Sequence, residues 1–185
     1  PGLVDKRLQR PADFTGTLTH TEALTHDILR VTVRLDAPLR FDAGQYAQLK
    51  VADVWGARAY SFASAPAADG NTELTFMIRH VPEGAFTGAL FRGELQGKPV
   101  AVHGPCGNFW LRESRGALLA VAGGSGLAPL LSMLEDAAAR HVGRSCTVVF
   151  GARQQRDLYA LDAIDSIAKR WNGALRCCRS RLARR

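Results

Sequence analysis

The sequence predicts a six-stranded antiparallel barrel followed by a doubly wound parallel sheet cut short at its C-terminus. Three observations carry that reading. The first hundred residues alternate apolar and polar positions in short runs broken by glycine, proline and aspartate, the pattern of strands with one face on a core and one in water. After Gly104-Pro105-Cys106-Gly107 the alternation stops, and Ala117 to Ala122 is apolar throughout, as a parallel strand covered on both faces would be. That run passes through Gly123-Gly124-Ser125-Gly126 into a segment of helical periodicity.

Taken in order, Leu29, Val31, Val33 and Leu35 face one way while Arg30, Thr32 and Arg34 face the other. Gln45 to Val51, Arg58 to Ala63 and Pro99 to His103 read as further strands. Leu74, Phe76 and Ile78 alternate with Thr75, Met77 and Arg79. Short strands at this spacing suggest a small closed barrel. In the second half, Leu127, Leu130, Leu131 and Leu134 mark a helix over 127–140, with Pro129 tolerated in its first turn. Cys146 to Phe150 is a second apolar strand. Asp157 is placed to cap a helix whose Leu158, Leu161, Ile164 and Trp171 form one stripe, giving β-α-β-α. A third parallel strand should follow Leu175, but the arginine-rich ending breaks the pattern. It reads as a sheet left incomplete, the ending out of frame or else a natural basic tail.

The composition is that of a globular chain, 46% apolar and 22% charged over 185 residues. Its net charge of +7 is concentrated in Arg176, Arg179, Arg181, Arg184 and Arg185; without them +2 remains, too little for a nucleic-acid face. No apolar run approaches a membrane span, so neither nucleic acid nor membrane is expected as a partner. Cys106, Cys146, Cys177 and Cys178 show no C-x-x-C pair, and the five histidines show no H-x-x-H or H-E-x-x-H pattern, so no metal site is expected. The N-terminus is neither an initiator methionine nor a signal peptide, which suggests a cytoplasmic protein and a chain beginning inside a longer one.

Two segments carry chemistry. Arg58-Ala59-Tyr60-Ser61 offers a cation for a phosphate, an aromatic face for a flat ring and a hydroxyl, with Arg58 and Tyr60 on one strand face. Gly123-Gly124-Ser125-Gly126 aims a helix start at an anion or a polar ring. It does not satisfy G-x-G-x-x-G, because Pro129 stands where the third glycine would be, and it has no Gly-Lys pair, so an ordinary Rossmann dehydrogenase and a P-loop are both disfavoured. The bland readings are a solvated strand arginine, a core aromatic and a plain turn.

Three more motifs complete the series: Gly84-Ala85-Phe86-Thr87 as G-x-x-T, Gly104 to Phe109 as G-x-x-G-x-F, and Phe150-Gly151-Ala152-Arg153 followed by Asp157-Leu158-Tyr159. With R-x-Y-S and G-G-S-G-x-A-P, this order resembles the ferredoxin–NADP reductase superfamily from about Phe14 to Gly173. More narrowly it resembles the reductase components of bacterial ring-hydroxylating and multicomponent oxygenases.

The resemblance implies a Greek-key FAD-binding barrel over 12–112, a truncated NAD(P)-binding domain over 113–185, and a linker over 1–11 from an upstream ferredoxin domain. Tyr60 would pack on the isoalloxazine, Arg58 would pair with the pyrophosphate, and Ser61 would reach the N5 region. Gly84, Ala85, Phe86 and Thr87 would form an anion nest, and the backbone of Met77, Ile78 and Arg79 would run beside the ring, with Val81 near the ribityl or adenine side. Gly123, Gly124, Ser125 and Gly126 would hold the nicotinamide, and Arg153 would meet a dinucleotide phosphate. Ser61 and Ser125 are the candidate catalytic residues. The implied cofactors are FAD and NADH or NADPH, with a [2Fe-2S] cluster on a fused or separate ferredoxin outside this chain and a terminal oxygenase beyond it. Reductase domains of flavohaemoproteins, deoxysugar reductases and flavin reductases share these motifs; a non-catalytic flavin-binding electron-transfer module is the alternative from another class. The C-G-P motif and terminal aromatic segment of the family are absent.

Overall fold

The computed structural model describes residues 10–52 and 54–181. Residues 1–9 of the proposed linker lie outside them, as do the last four residues. Six strands build the first half: β1 (Ala12–Ala23), β2 (Ile28–Leu39), β3 (Tyr46–Val51), β4 (Arg58–Ser61), β5 (Asn71–Arg79) and β6 (Pro99–Cys106). Their order is β4-β3-β6-β1-β2-β5, every neighbour antiparallel. The two edges meet where Phe62 bridges Phe76 and the Ala63 N–H donates to the Thr75 carbonyl at 2.8 Å, which closes the sheet. The alternation expected of β2 holds: Val31, Val33 and Leu35 are buried while Arg34 is exposed. Phe62, stacked on Phe41 at 4.0 Å and tilted against Phe76 at 5.7 Å, fills the centre. Helix α1 (Ala85–Phe91) sends Phe86 and Leu90 into the same core.

The second half contains β7 (Leu118–Gly123), α2 (Leu127–Ala139), β8 (Cys146–Ala152), α3 (Leu161–Arg170) and β9 (Leu175–Arg181). The strands lie parallel in the order β7-β8-β9. Three expectations are corrected here. A third parallel strand does form: β9 pairs with β8 from Cys146–Leu175 to Ala152–Arg181. An edge strand needs apolar side chains only on its covered face, and Leu175 and Cys177 supply them. Asp157 does not cap α3. It closes a 3-10 turn by accepting the Gln154 N–H at 3.0 Å, and α3 begins four residues later, after Ala160 in the left-handed region at φ 54°. Nor is β7 covered on both faces, since Leu119 and Val121 are 65% and 64% exposed. Successive right-handed crossovers in one direction put α2 and α3 on the same side of the sheet.

The halves are joined by shared packing. Ile28, Ala43 and Met77 of the barrel belong to the second core, with Leu127, Leu131 and Ile167. Met77 was expected on the polar side of β5; it is buried because that side of the barrel is covered by the second half. Gly44, at φ +99°, lets the Phe109 carbonyl lie where a Cβ would stand, and the Gln45 amide donates to the Gly107 carbonyl at 2.9 Å. No helix among the described residues is long and apolar enough to cross a membrane.

Candidate functional site

Strand β4 presents the R-x-Y-S residues on the barrel wall. Arg58 is exposed at its start; among the described residues its guanidinium has no carboxylate partner and bonds only the Ala57 carbonyl, at 3.0 Å. The loop before it comes close, for a Cβ on Gly56 would lie 2.8 Å from Arg58 Nη1. Tyr60 is half-buried and stacks against Phe86 with ring centroids 5.8 Å apart. Burial pushes its phenol up to about 12 while the nearby Arg58 charge pulls the other way, so the ring stays neutral at physiological pH. Ala59 is exposed, and Ser61 is half-buried opposite Tyr46.

The segment 84–87 is turned inward. Phe86 is 2% exposed, and the Thr87 hydroxyl accepts the Val81 N–H at 3.1 Å and lies 3.2 Å from the Val81 carbonyl. Its bonding is spent on the loop, and the Gly84 Cβ position is crowded by that same hydroxyl at 2.8 Å. Ala85 is exposed and Val81 is 55% exposed. Ile78 lies wholly in the barrel core.

The glycine turn follows β7. Gly123 is extended, Gly124 is left-handed at φ +54°, and Ser125 and Gly126 complete a 3-10 turn that runs into α2. The Tyr159 hydroxyl donates to the Gly124 carbonyl at 2.7 Å, and burial raises that phenol's pKa strongly. A Cβ on Gly124 would stand 3.3 Å from Arg79 Nη1, so the end of β5 touches the turn. Thus the strand expected beside a flavin and the turn expected to hold nicotinamide meet at one junction. Ala63 and Ser64, just past β4, line a groove of about 420 Å³ with Leu131 and Ala163. The buried Ser64 hydroxyl oxygen has no hydrogen-bond partner among the described residues.

Arg153 is exposed, yet it is paired with a carboxylate of the first half. Its Nη2 is 3.2 Å from Asp27 Oδ2, which also accepts Arg79 Nε at 2.8 Å and Nη2 at 2.7 Å. Burial works to raise the Asp27 carboxyl, but hydrogen bonds from Arg79 and Thr25 and the Arg79 charge outweigh it and hold the group below its ordinary 3.8. Asp27 escapes sequence reasoning because it lies in a hairpin turn, where an aspartate is unremarkable.

The residues fit the groups the motifs imply. Among the described residues Arg58 is a cation without a carboxylate partner beside a half-buried aromatic face, and a Cβ on Gly126 would have none of them within 4 Å. Comparison with known proteins agrees. The model of the oxidoreductase FAD-binding domain matches residues 15–110, and that of the oxidoreductase NAD-binding domain matches 120–183, so the arginine-rich strand β9 lies within the match. The chain is 39% identical over 163 residues to the xylene/toluene monooxygenase electron transfer component of Pseudomonas putida, covering 88% of this chain and 46% of that one. It is 38% identical over 166 residues to the ferredoxin–NAD(P)(+) reductase component of the naphthalene 1,2-dioxygenase system of Pseudomonas putida, covering 89% and 49%. The crystal structure of the Amycolatopsis cytochrome P450 reductase GcoB superposes with a TM-score of 0.82 at 33% identity, covering all of this chain and 58% of that one. The chain spans about half the length of the curated relatives it matches. With a closed barrel and a parallel sheet meeting at these motifs, the chain belongs to the ferredoxin–NADP reductase superfamily and carries its FAD-binding and NAD-binding oxidoreductase domains.

Proposed function

We propose that the chain is the flavin-reducing portion of an electron-transfer component that carries electrons from NAD(P)H through FAD to an iron–sulfur centre of an oxygenase system. The observation that carries this reading is the contact of Arg79, at the end of β5, with Gly124, which brings a flavin wall and a nicotinamide turn into one place. Arg58, Tyr60 and Ser61 would hold FAD, which would supply two-electron acceptance from NAD(P)H, leaving NAD(P)+, and one-electron release to the acceptor. The protein's part is placement. Arg58 offers charge to the pyrophosphate, and Tyr60, held by Phe86, offers a neutral ring face to the isoalloxazine. Ser61 presents a hydroxyl from the same strand, and Gly123, Gly124 and Gly126 leave the Ser125 hydroxymethyl as the one side chain of the turn.

The immediate acceptor is a ferredoxin domain or protein outside this chain, and a terminal oxygenase is the final one. The relatives' names support both. Residues 12–112 form the flavin-binding part and 113–185 belong to the nucleotide-binding part. A cytoplasmic setting accords with Cys106, Cys146, Cys177 and Cys178 all being free thiols. An absorption spectrum with added FAD, followed by anaerobic NADH, tests the reading. A bound-flavin spectrum that bleaches with NADH is expected. A spectrum that bleaches with dithionite alone would reduce the chain to a flavin-binding module, and failure to bind FAD would overturn the assignment.

A further inference from the structure

Asp27 is marked by no motif, yet it ties the two halves together. It stands in the turn between β1 and β2, with its side chain 18% exposed. Its Oδ2 takes three N–H donors, two from Arg79 at 2.8 and 2.7 Å and one from Arg153 at 3.2 Å. Its Oδ1 accepts the Thr25 hydroxyl at 3.0 Å, and its backbone carbonyl accepts the His80 N–H at 2.8 Å. The carboxylate is therefore saturated and fixed from the barrel side before Arg153 of the second half reaches it.

We propose that Asp27 is a positioning residue that sets the distance between the nicotinamide turn and the flavin wall, which rests on the function proposed above. The chain of contact is short. Asp27 holds Arg79, whose guanidinium lies against Gly124, and Tyr159 grips the Gly124 carbonyl from the other side at 2.7 Å. Asp27 also anchors Arg153, one residue beyond β8, so both strand ends bordering the turn answer to one carboxylate. Without that charge, the Arg79 and Arg153 guanidinium groups would face each other across the junction with only Asp157, 4.0 Å from Arg153 Nε, left as a counter-charge, and the junction would loosen. Electron delivery between bound partners depends steeply on placement, and a displacement of about 1 Å can cost on the order of a hundredfold.

Four measurements test this. In the FAD-loaded protein, Asp27→Asn should slow flavin reduction by NADH about tenfold or more. Reduction by dithionite and FAD retention should stay near wild type, and the melting temperature should fall only by the small share of this one ion-paired group. Asp27→Glu should recover part of the rate. Combined with Arg153→Gln, the Asn variant should lose less than the product of the two single losses, because removing one guanidinium relieves the repulsion. In the flavin-free chain, amide hydrogen exchange over residues 122–128 should rise in Asp27→Asn while β1 and β6 are unchanged. Unchanged exchange together with multiplicative losses would overturn the proposal and leave Arg153 as an independent dinucleotide contact. Parallel losses of FAD and melting temperature would also overturn it, making Asp27 a general fold contact. A wild-type protein that binds FAD but is not reduced by NADH would sink the proposed function alone, and the exchange comparison would still decide on Asp27.

Discussion

Gly124 and Gly126 stand two residues apart and are glycine for opposite reasons. Gly124 needs its left-handed φ of +54° and lies against Arg79, so Gly124→Ala should cost about 1–3 kcal/mol in urea unfolding. Gly126 has an ordinary φ of −63° and open space where a Cβ would go. Gly126→Ala should therefore leave stability within about 0.5 kcal/mol of wild type while weakening nicotinamide binding, read as a raised KM for NADH in flavin reduction. Equal KM values would mean that the space is not used by the dinucleotide. Tyr60 can be dissected in the same way. Its ring is half-buried against Phe86 and its hydroxyl stays protonated, so Tyr60→Phe should retain FAD nearly as well as wild type and Tyr60→Ala should lose much of it in equilibrium dialysis.

At the scale of elements, β9 shows how an edge strand can be hidden by composition. Arg-Cys-Cys-Arg has no apolar run, but alternate residues face alternate sides, and only Leu175 and Cys177 must meet the core. The strand is then specified by its register with β8 more than by its own sequence. The register predicts an order of thiol reactivity. Cys178 is exposed and should be alkylated first at pH 8; Cys146 is buried with its pKa pushed up to about 11, chiefly by that burial, and should be protected until unfolding. Peptide mass mapping of alkylated sites reads the order, and early labelling of Cys146 would contradict the pairing. Strand β1 went unmarked, but β2, β5, β7 and β8 were legible because their period is local: β2 and β5 alternate, and β7 and β8 are apolar runs ended by glycine. The start of α3 was not, because an aspartate followed by an apolar stripe looks the same whether it caps a helix or closes a 3-10 turn before one.

The molecule as a whole depends on closure of the barrel and on the junction beside it. Phe76 lies at the seam, wholly buried against Phe62, so Phe76→Ala should cost about 3–5 kcal/mol in denaturant unfolding and release FAD with the barrel. Asp27 adds a pH dependence. Its folded pKa is depressed, so its contribution is complete above the ordinary carboxyl value of 3.8 and is lost as pH falls through the lower folded value. Wild type should thus exceed Asp27→Asn in stability at neutral pH, and the two should converge in acid unfolding below that window. The motifs marked the R-x-Y-S segment and the glycine turn, which the structure shows as a strand and a turn entering a helix. The joint between them was not readable, because Asp27, Arg79 and Arg153 are brought together only by the packing of the barrel on the sheet.

That packing bears on protein engineering. Ile28, Ala43 and Met77 are barrel residues whose side chains complete the hydrophobic interior of the neighbouring half. A chimera that grafted residues 113–185 onto a foreign barrel would inherit a hole unless these three positions travelled with it, so the natural unit of recombination is the graft plus its footprint.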